Sequence, residues 1–223
     1  IDPKPLNKAI KRNDYPMKTI DDALEEMKGA RYFTHLDARN GFWHVVLDEE
    51  SSILTTFETP FGKYRWVRLL FGISASPEEF QRRIDEALQG LPGVFAVHDD
   101  FIIWGKGSTD EAASRDHDEN LRQMLARCKE KGIKLNRDKV DYKKTELPYL
   151  GHIISSDGLK ADPQKIDAVK QLTTPEDKAA VQRLLGMIGY LQRFAPHLSE
   201  ISAPLRELVK KDVHFQWNET HTK

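Results

Sequence analysis

The sequence has little cysteine, no long apolar run and no excess of either charge. Cys128 is the single cysteine, so neither an internal disulfide framework nor a Cys-rich zinc site can be built. An intracellular, cytoplasmic setting is the default expectation. The eight histidines are scattered, with no pair at zinc-finger spacing. No apolar stretch reaches the roughly 18 residues that a membrane span requires, no secretory signal is visible, and no membrane partner is expected. Lysine and arginine number 34 against 35 aspartates and glutamates, for a net charge of −1. That balance speaks against bulk, non-specific nucleic-acid binding. A nucleic-acid enzyme with this charge must gather its cations along one groove. The stretch Arg127, Lys129, Lys131, Lys134, Arg137, Lys139, Lys143 and Lys144 is one candidate. Glu130, Asp138, Asp141 and Glu146 interleave with it, and a solvated surface explains the same pattern. Internal repeats and low-complexity tracts are absent.

What remains is an ordinary globular composition, 39% apolar and 31% charged over 223 residues, enough for one large domain or two small ones. The chain opens on Ile1, within what reads as a structured segment, and is expected to be a fragment. Residues 1–18 read as extended or loop, broken by Pro3, Pro5 and Pro16. Thr19 with Asp22 resembles a capping box, opening a helix that Gly29 ends. Residues 31–47 alternate in two strand-like pieces on either side of Asp37 to Gly41, with room for a short helical turn between them. Residues 53–59 and 63–69 read as a hairpin around Pro60-Phe61-Gly62. Ser76-Pro77-Glu78-Glu79 reads as a helix start, with Ser76 as cap, Pro77 at the first position and Glu79 reaching back. Two short apolar runs, 94–97 and 101–104, flank His98-Asp99-Asp100, the pattern of a β-hairpin with an acidic turn. A long helix follows over 110–131, stopped by Gly132, and then a strand over 147–154. The last third is helical, 161–212, with Asp162-Pro163 and Thr174-Pro175 as candidate starts.

Asp37, Asp99 and Asp100 carry the chemistry. Adjacent aspartates at a turn between buried strands repel one another unless a cation neutralises them. Mg²⁺ suits such oxygen donors, and a third carboxylate from another strand end would complete a clamp for two ions roughly 3.5–4 Å apart. Aspartates are also common turn formers, so spacing alone leaves a plain hairpin turn open.

The surrounding words are more specific. "FTHLDARNGFWHVVLDEESSILTTFETPFGKYRWVRLLFGISASPEEFQRR", "GVFAVHDDFIIWG", "GIKLNRDKVDYKKTELPYLGHIISSDGLKADPQKIDAVKQL" and "VQRLLGMIGYLQRFAPHLSEISAPLRELVKKD" resemble, in order and over nearly the whole chain, the reverse transcriptases of gypsy-type LTR retrotransposons. The resemblance implies an α/β fold of right-hand polymerase architecture, with an antiparallel palm sheet, partial fingers and a helical thumb. It places fingers and palm at 1–157, a thumb or connection-like region at 158–214, and the start of a tether to a ribonuclease H domain at 215–223. It implies RNA- and DNA-directed DNA synthesis with two Mg²⁺ ions, Mn²⁺ being a possible substitute. Asp37, Asp99 and Asp100 would be catalytic and, with the Ala38 carbonyl, metal-binding. Phe42 would be the steric gate against ribose. Phe71 and Gly72 would cradle the nucleotide, with Lys4 and Lys139 near its triphosphate. Val97, His98, Leu150, Gly151 and His152 would meet the primer.

The implied partners are an RNA or DNA template with its primer, deoxynucleoside triphosphates, and the protease, ribonuclease H and integrase domains of a longer polyprotein packed in a cytoplasmic particle. For several residues a bland reading stands beside the functional one: a core aromatic for Phe42, an ordinary turn for Gly72, a solvated lysine for Lys139, an edge strand for 150–152. Val97 and His98 depart from the family's usual motif, and Leu70 stands where proline is common. A decayed copy that binds duplex without catalysis and an unrelated two-metal phosphohydrolase are the alternatives.

Overall fold

In a computed structural model, residues 3–12 and 14–222 are described. The chain divides into two compact units, one of residues 1–150 with 154–158, the other of residues 151–153 with 159–223.

The first unit is built on a four-stranded antiparallel sheet. Its strands are β1 (Ala30–Asp37), β4 (Val94–Val97), β5 (Asp100–Lys106) and β6 (Asp141–Lys144), in the order β4-β5-β1-β6. The two central strands carry the apolar runs: Phe33, Phe101, Ile102 and Ile103 are fully buried. Two helices cover the sheet, α4 (Ser76–Leu88) and α5 (Asp110–Lys131). Phe80 and Ile84 of α4 and Met124 and Cys128 of α5 close one core with Leu36, Ala96 and Phe101. Burial holds the Cys128 thiol up at about 11, so it is an inert core residue. Thr109 caps α5 and Gly132 ends it in the left-handed conformation, φ 69°. Gly105 lets α5 lie directly on β5, since a Cβ there would stand 2.2 Å from the Ala113 carbonyl oxygen.

A buried polar relay pins α5 to the sheet. The Lys143 N–H donates to Thr34 Oγ1 (2.9 Å), and the Thr34 hydroxyl shares a proton with His117 Nε2 (2.8 Å). The Asp118 carboxylate can only accept, so His117 Nδ1–H donates to it (3.0 Å), and Nε2 of the neutral ring accepts from the Thr34 hydroxyl. His117 is fully buried and neutral in this pattern. Desolvation holds its pKa below the ordinary value, against the pull of Asp118. A histidine lowered in the fold contributes stability above its unfolded value, near 6.5, that is lost as pH falls toward the folded one. The thermal midpoint should therefore drop as pH is lowered through about 6.5. His117→Gln should shrink that step and cost roughly 1–2 kcal/mol at pH 7.5. A step of unchanged size would assign it to another group.

Several local expectations give way to the structure. The segment 1–18 is not extended throughout: Lys4–Ala9 forms α1, with a proline in its first turn, where the missing N–H costs nothing. Helix α2 (Ile20–Met27) carries the Thr19–Asp22 capping box as read. After β1 the chain reverses at Asn40, which is left-handed (φ 59°), into a 3-10 turn, Gly41–His44. Beyond it only Val46 makes a bridge, to Arg68. The predicted hairpin over 53–69 is shorter. Asp48 caps a helix, α3 (Glu49–Leu54), and only β2 (Phe57–Thr59) and β3 (Gly62–Tyr64) pair. Ser76 is the first residue of α4 and not its cap: its hydroxyl donates to the Leu70 carbonyl (2.9 Å), and Glu79 binds Arg82 and Arg83.

The strand expected over 147–154 is two, β7 (Glu146–Tyr149) and β8 (His152–Ser155). Leu150 and Gly151, both at positive φ, make the turn between them. With β9 (Gly158–Lys160) these form a small sheet in the order β7-β8-β9.

The second unit is helical: α6 (Pro163–Lys170), α7 (Lys178–Leu191), α8 (Leu198–Ile201), α9 (Ala203–Leu208) and α10 (Glu219–Thr222). Asp162 caps α6 as expected. Thr174-Pro175 is not a helix start, because Asp177, accepting from the Ala180 N–H, caps α7. Val181, Leu205 and Leu208 form its core, with Leu184, Leu185, Ile188 and Trp217 packed against them.

Candidate active site

The end of the four-stranded sheet gathers the acidic residues. Asp37 is the last residue of β1, Asp100 the first of β5, and the two are direct cross-strand partners. Val97, buried at the end of β4, pairs with Asp100 on its other side. His98 and Asp99 are therefore the two-residue turn of the β4–β5 hairpin. His98 takes the left-handed conformation, φ 54°. The Ala38 N–H donates to the Asp99 carbonyl oxygen at 2.6 Å, which ties the end of β1 to this turn.

Each carboxylate meets a different environment. Asp37 pairs with Lys139 Nζ at 2.9 Å, from a 3-10 turn at Arg137–Lys139; this partner raises the Lys139 pKa. Asp100 pairs with His35 Nε2 at 2.9 Å. Among the described residues Asp99 has no such partner: its Oδ1 is buried with no hydrogen bond. Burial, followed by the charges of Asp37 and Asp100, raises its pKa. Among the described residues, no three His, Cys, Asp or Glu side chains already stand in a metal-holding arrangement. Asp37 instead faces Lys139, and Asp100 faces His35. The donor set nonetheless fits a hard divalent ion: three carboxylates at one sheet end, one with an orphaned, desolvated oxygen.

Gly41 is what allows Asp99 to sit there. A Cβ on Gly41 would lie 1.8 Å from Asp99 Oδ1 and 2.4 Å from its carboxyl carbon. On the same 3-10 turn, Phe42 packs on Phe71 (centroids 4.8 Å) and Phe80 (5.3 Å), half-buried over the core. His44 stitches this turn to the loop after α5. Its Nε2 accepts from the Lys134 N–H, so its Nδ1–H donates to the Gly41 carbonyl, both at 2.9 Å.

The loop holding Phe71 and Gly72 is clamped. Asn7 of α1 donates to the Gly72 carbonyl and accepts from the Ser74 N–H, both at 2.8 Å. Gly72 is at φ 90°, a conformation that favours glycine. Leu70 is buried, and Ser76 holds its carbonyl, so the absence of proline there leaves a pinned loop entry. Lys4 lies on the same short helix as Asn7.

Residues that sequence reasoning missed stand behind the site. Gln81 of α4 is fully buried; its amide donates to the Ala96 carbonyl (3.0 Å), and its oxygen accepts from the His98 N–H (2.8 Å), which shapes the acidic turn. Tyr149 donates to the Asp100 carbonyl (3.3 Å) and stands edge-on to His35; burial drives its pKa far up. A phenol thus reaches this turn from β7, although Val97 supplies none.

Leu150, a third exposed, belongs to the first unit, and Gly151 and His152 belong to the second. There His152 stacks on Tyr190 (5.0 Å, 17°), and Lys165 stands over the other aromatic partner of that stack and donates to the Gly151 carbonyl (2.9 Å).

The arrangement defines a class: an antiparallel sheet under two helices, presenting three carboxylates at the join of a strand end and a hairpin. Residues 1–154 match the family model described as "Reverse transcriptase (RNA-dependent DNA polymerase)". The chain is similar to the "Retrovirus-related Pol polyprotein from transposon 412" of Drosophila melanogaster, 31% identical over 98% of this chain and 17% of that protein. It is 33% identical to the corresponding polyprotein from transposon opus, over 94% of this chain and 20% of that one. The "Transposon Tf2-3 polyprotein" of Schizosaccharomyces pombe is 29% identical over all of this chain and 16% of its own length. The fold matches a foamy viral protease-reverse transcriptase solved with ds DNA, TM-score 0.88 at 23% identity, over 99% of this chain and 38% of that one. It also matches the enzyme solved with an RNA/DNA hybrid, TM-score 0.85 at 23% identity, over 99% and 30%.

The chain belongs to the reverse transcriptase family, in the form carried by LTR retrotransposons. It spans a fifth or less of the curated polyproteins it matches.

Proposed function

We propose that this chain is the polymerising part of a retrotransposon enzyme, joining deoxynucleoside triphosphates to a primer 3′-hydroxyl on an RNA or DNA template. The observation that carries this reading is the meeting of Asp37, Asp99 and Asp100 at one sheet end, with a buried Asp99 oxygen left unpaired. Two Mg²⁺ ions, or Mn²⁺ in their place, held by Asp37 and Asp99 with Asp100 and the Ala38 carbonyl beside them, would supply activation of the hydroxyl and charge neutralisation at the triphosphate. The protein's own part is placement. Gln81 and Gly41 fix where Asp99 stands, and His35 orients Asp100. Lys139, now spent on Asp37, would turn to the leaving pyrophosphate once that carboxylate is engaged elsewhere.

Phe42 packs on Phe71 with the rings inclined by 31°, beside the acidic turn, where a ring can exclude a ribose 2′-hydroxyl. Phe42→Ala should raise ribonucleotide use relative to deoxynucleotide by roughly 10- to 200-fold, the range over which pocket shape discriminates. Unchanged sugar selection in single-nucleotide incorporation would remove Phe42 from that role. Gly72 lets the loop backbone approach the nucleotide, and Lys4 adds positive charge nearby.

The helical unit serves as a thumb on the template-primer duplex, with Gly151 and His152 toward the primer. The complexes in which the foamy viral relatives were solved support this partner. The polyprotein relatives support a longer parent with other domains; these would be a protease, a ribonuclease H and an integrase, and the parent would work in an intracellular particle.

The Asp37–Lys139 and Asp100–His35 pairs favour a second reading, a copy that holds duplex without catalysis. Primer extension on an RNA template with Mg²⁺ and deoxynucleotides separates the two. Extended product supports the polymerase. Salt-sensitive duplex binding with no product supports the second reading, and neither activity would overturn both.

A further inference from the structure

A cleft of about 690 Å³ opens beside the 3-10 turn, entirely within the first unit; Trp43 on its wall also meets Phe71 edge-on, centroids 6.5 Å apart. Trp43 and Trp66 line it, with rings 6.4 Å apart and inclined by 32°. Trp43 is 42% exposed, unusual for an indole with a protein core beside it. Around the two rings stand Arg39, Arg65, Arg68, Lys131 and Lys134, and the described lining contains no acidic side chain. In a chain with as many acids as bases, five cations without an anion is a local concentration and not a reflection of composition.

The cations are not all equivalent. Arg65 is forked onto Glu49 (2.6 and 3.2 Å), and Lys131 meets Glu130 at 3.1 Å, both from outside the cleft. Arg68 reaches the His44 carbonyl. Arg39 and Lys134 make no side-chain ion pair among the described residues, and a backbone hydrogen bond, Arg39 N–H to the Lys134 carbonyl (2.8 Å), holds them side by side. Two adjacent uncommitted cations next to an exposed indole match one ligand chemistry, a planar base attached to phosphate. The ring offers stacking, worth about 1–3 kcal/mol per base, and the cations offer charge-assisted bonds to phosphate oxygens. The cleft volume lies within the usual range for small-ligand sites, roughly 300–1,000 Å³.

We propose that this cleft is a second nucleotide site, distinct from the carboxylates. It binds an unpaired nucleotide with its base on Trp43 and its phosphates on Arg39 and Lys134. The nucleotide comes either from single-stranded template or from free nucleoside triphosphate. The choice of ligand class rests on the polymerase reading; the site itself does not.

Tryptophan fluorescence tests it, in EDTA and without template-primer, so that neither divalent ions at the carboxylates nor catalysis contributes. ATP is titrated in one arm and a short single-stranded oligodeoxynucleotide in the other. Saturable quenching is expected, weakened about tenfold or more by Lys134→Glu, lost in Trp43→Leu and unchanged in Asp99→Asn, with circular dichroism showing each variant folded. Stronger quenching by the oligonucleotide per nucleotide assigns the site to template; stronger quenching by ATP assigns it to free nucleotide. Absence of saturable quenching in both arms, or quenching indifferent to Lys134→Glu, overturns the proposal. Persistent quenching in a protein that extends no primer would instead mark failure of the polymerase reading.

Discussion

Asp99→Asn should abolish primer extension while making the protein more stable. The catalytic loss follows from removing one negative oxygen at the point where ions and triphosphate charge would be held. A drop of about 10³-fold or more, roughly 4 kcal/mol of barrier, is expected in single-turnover incorporation. The stability gain has a separate cause. Asp99 is desolvated and faces Asp37 and Asp100, which raises its pKa. A carboxylate raised in the fold favours the protonated native state, so its ionised form works against folding. That penalty is absent below the ordinary carboxylate range, near 4, and grows as pH rises through the higher folded value.

An uncharged amide of the same shape removes the penalty. At neutral pH, Asp99→Asn should gain about 1 kcal/mol, or roughly 2–4 °C in thermal midpoint, of the kind strained functional sites give up. The gain should shrink as pH is lowered. A variant that is inactive and also less stable at neutral pH would show that Asp99 is a structural residue whose charge is already compensated.

Gly41→Ala should be nearly as damaging, although position 41 carries no functional group. Its added methyl would occupy the place of Asp99 Oδ1, at 1.8 Å, with the carboxyl carbon at 2.4 Å. Such a contact cannot persist, so either the carboxylate rotates away or the 3-10 turn moves. Either response shifts an essential group by an ångström or more, a displacement that costs about 10²-fold. The Asp99 carbonyl accepts from the Ala38 N–H, and Gln81 holds the neighbouring His98 N–H, so side-chain rotation is the expected response. Incorporation rate should fall by about 10²-fold or more, with the helical content of the protein unchanged. Activity within a few-fold of the parent would mean that the carboxylate position seen here is not the working one.

The parts of this site that were legible in the sequence are those written as contiguous words. Asp37 ends a strand whose alternation is visible, and Asp99-Asp100 lies between two apolar runs, so hairpin, turn and sheet end could all be anticipated. The long helix with its Gly132 stop was equally readable, since both its cap and its period are local. The supporting contacts were not readable. Gln81 meets His98 from 17 residues away, Asn7 meets Ser74 from 67 and His35 meets Asp100 from 65. Each of these residues has an ordinary local role that pattern reasoning assigns first.

Ser76 shows how a local rule loses to a tertiary one. Its place before Pro77 fits a cap, but its hydroxyl is drawn to the Leu70 carbonyl, which is buried and needs a donor. The helix at Glu49–Leu54 was hidden because its last two residues, Ile53 and Leu54, also suit the start of a strand, and Asp48, as cap, decided the outcome. The cleft between Trp43 and Trp66 escaped notice because its cations come from three separate stretches of chain.

The most direct test of the central claim is a count of divalent ions at the carboxylates. Mn²⁺ titration followed by electron paramagnetic resonance, with template-primer and a deoxynucleoside triphosphate present, reads binding without depending on turnover. Two tightly held ions are expected in the parent protein, with loss of at least one in Asp37→Asn and in Asp99→Asn. Equal Mn²⁺ binding by all three proteins would contradict the account, because those carboxylates would then not be where the ions are held.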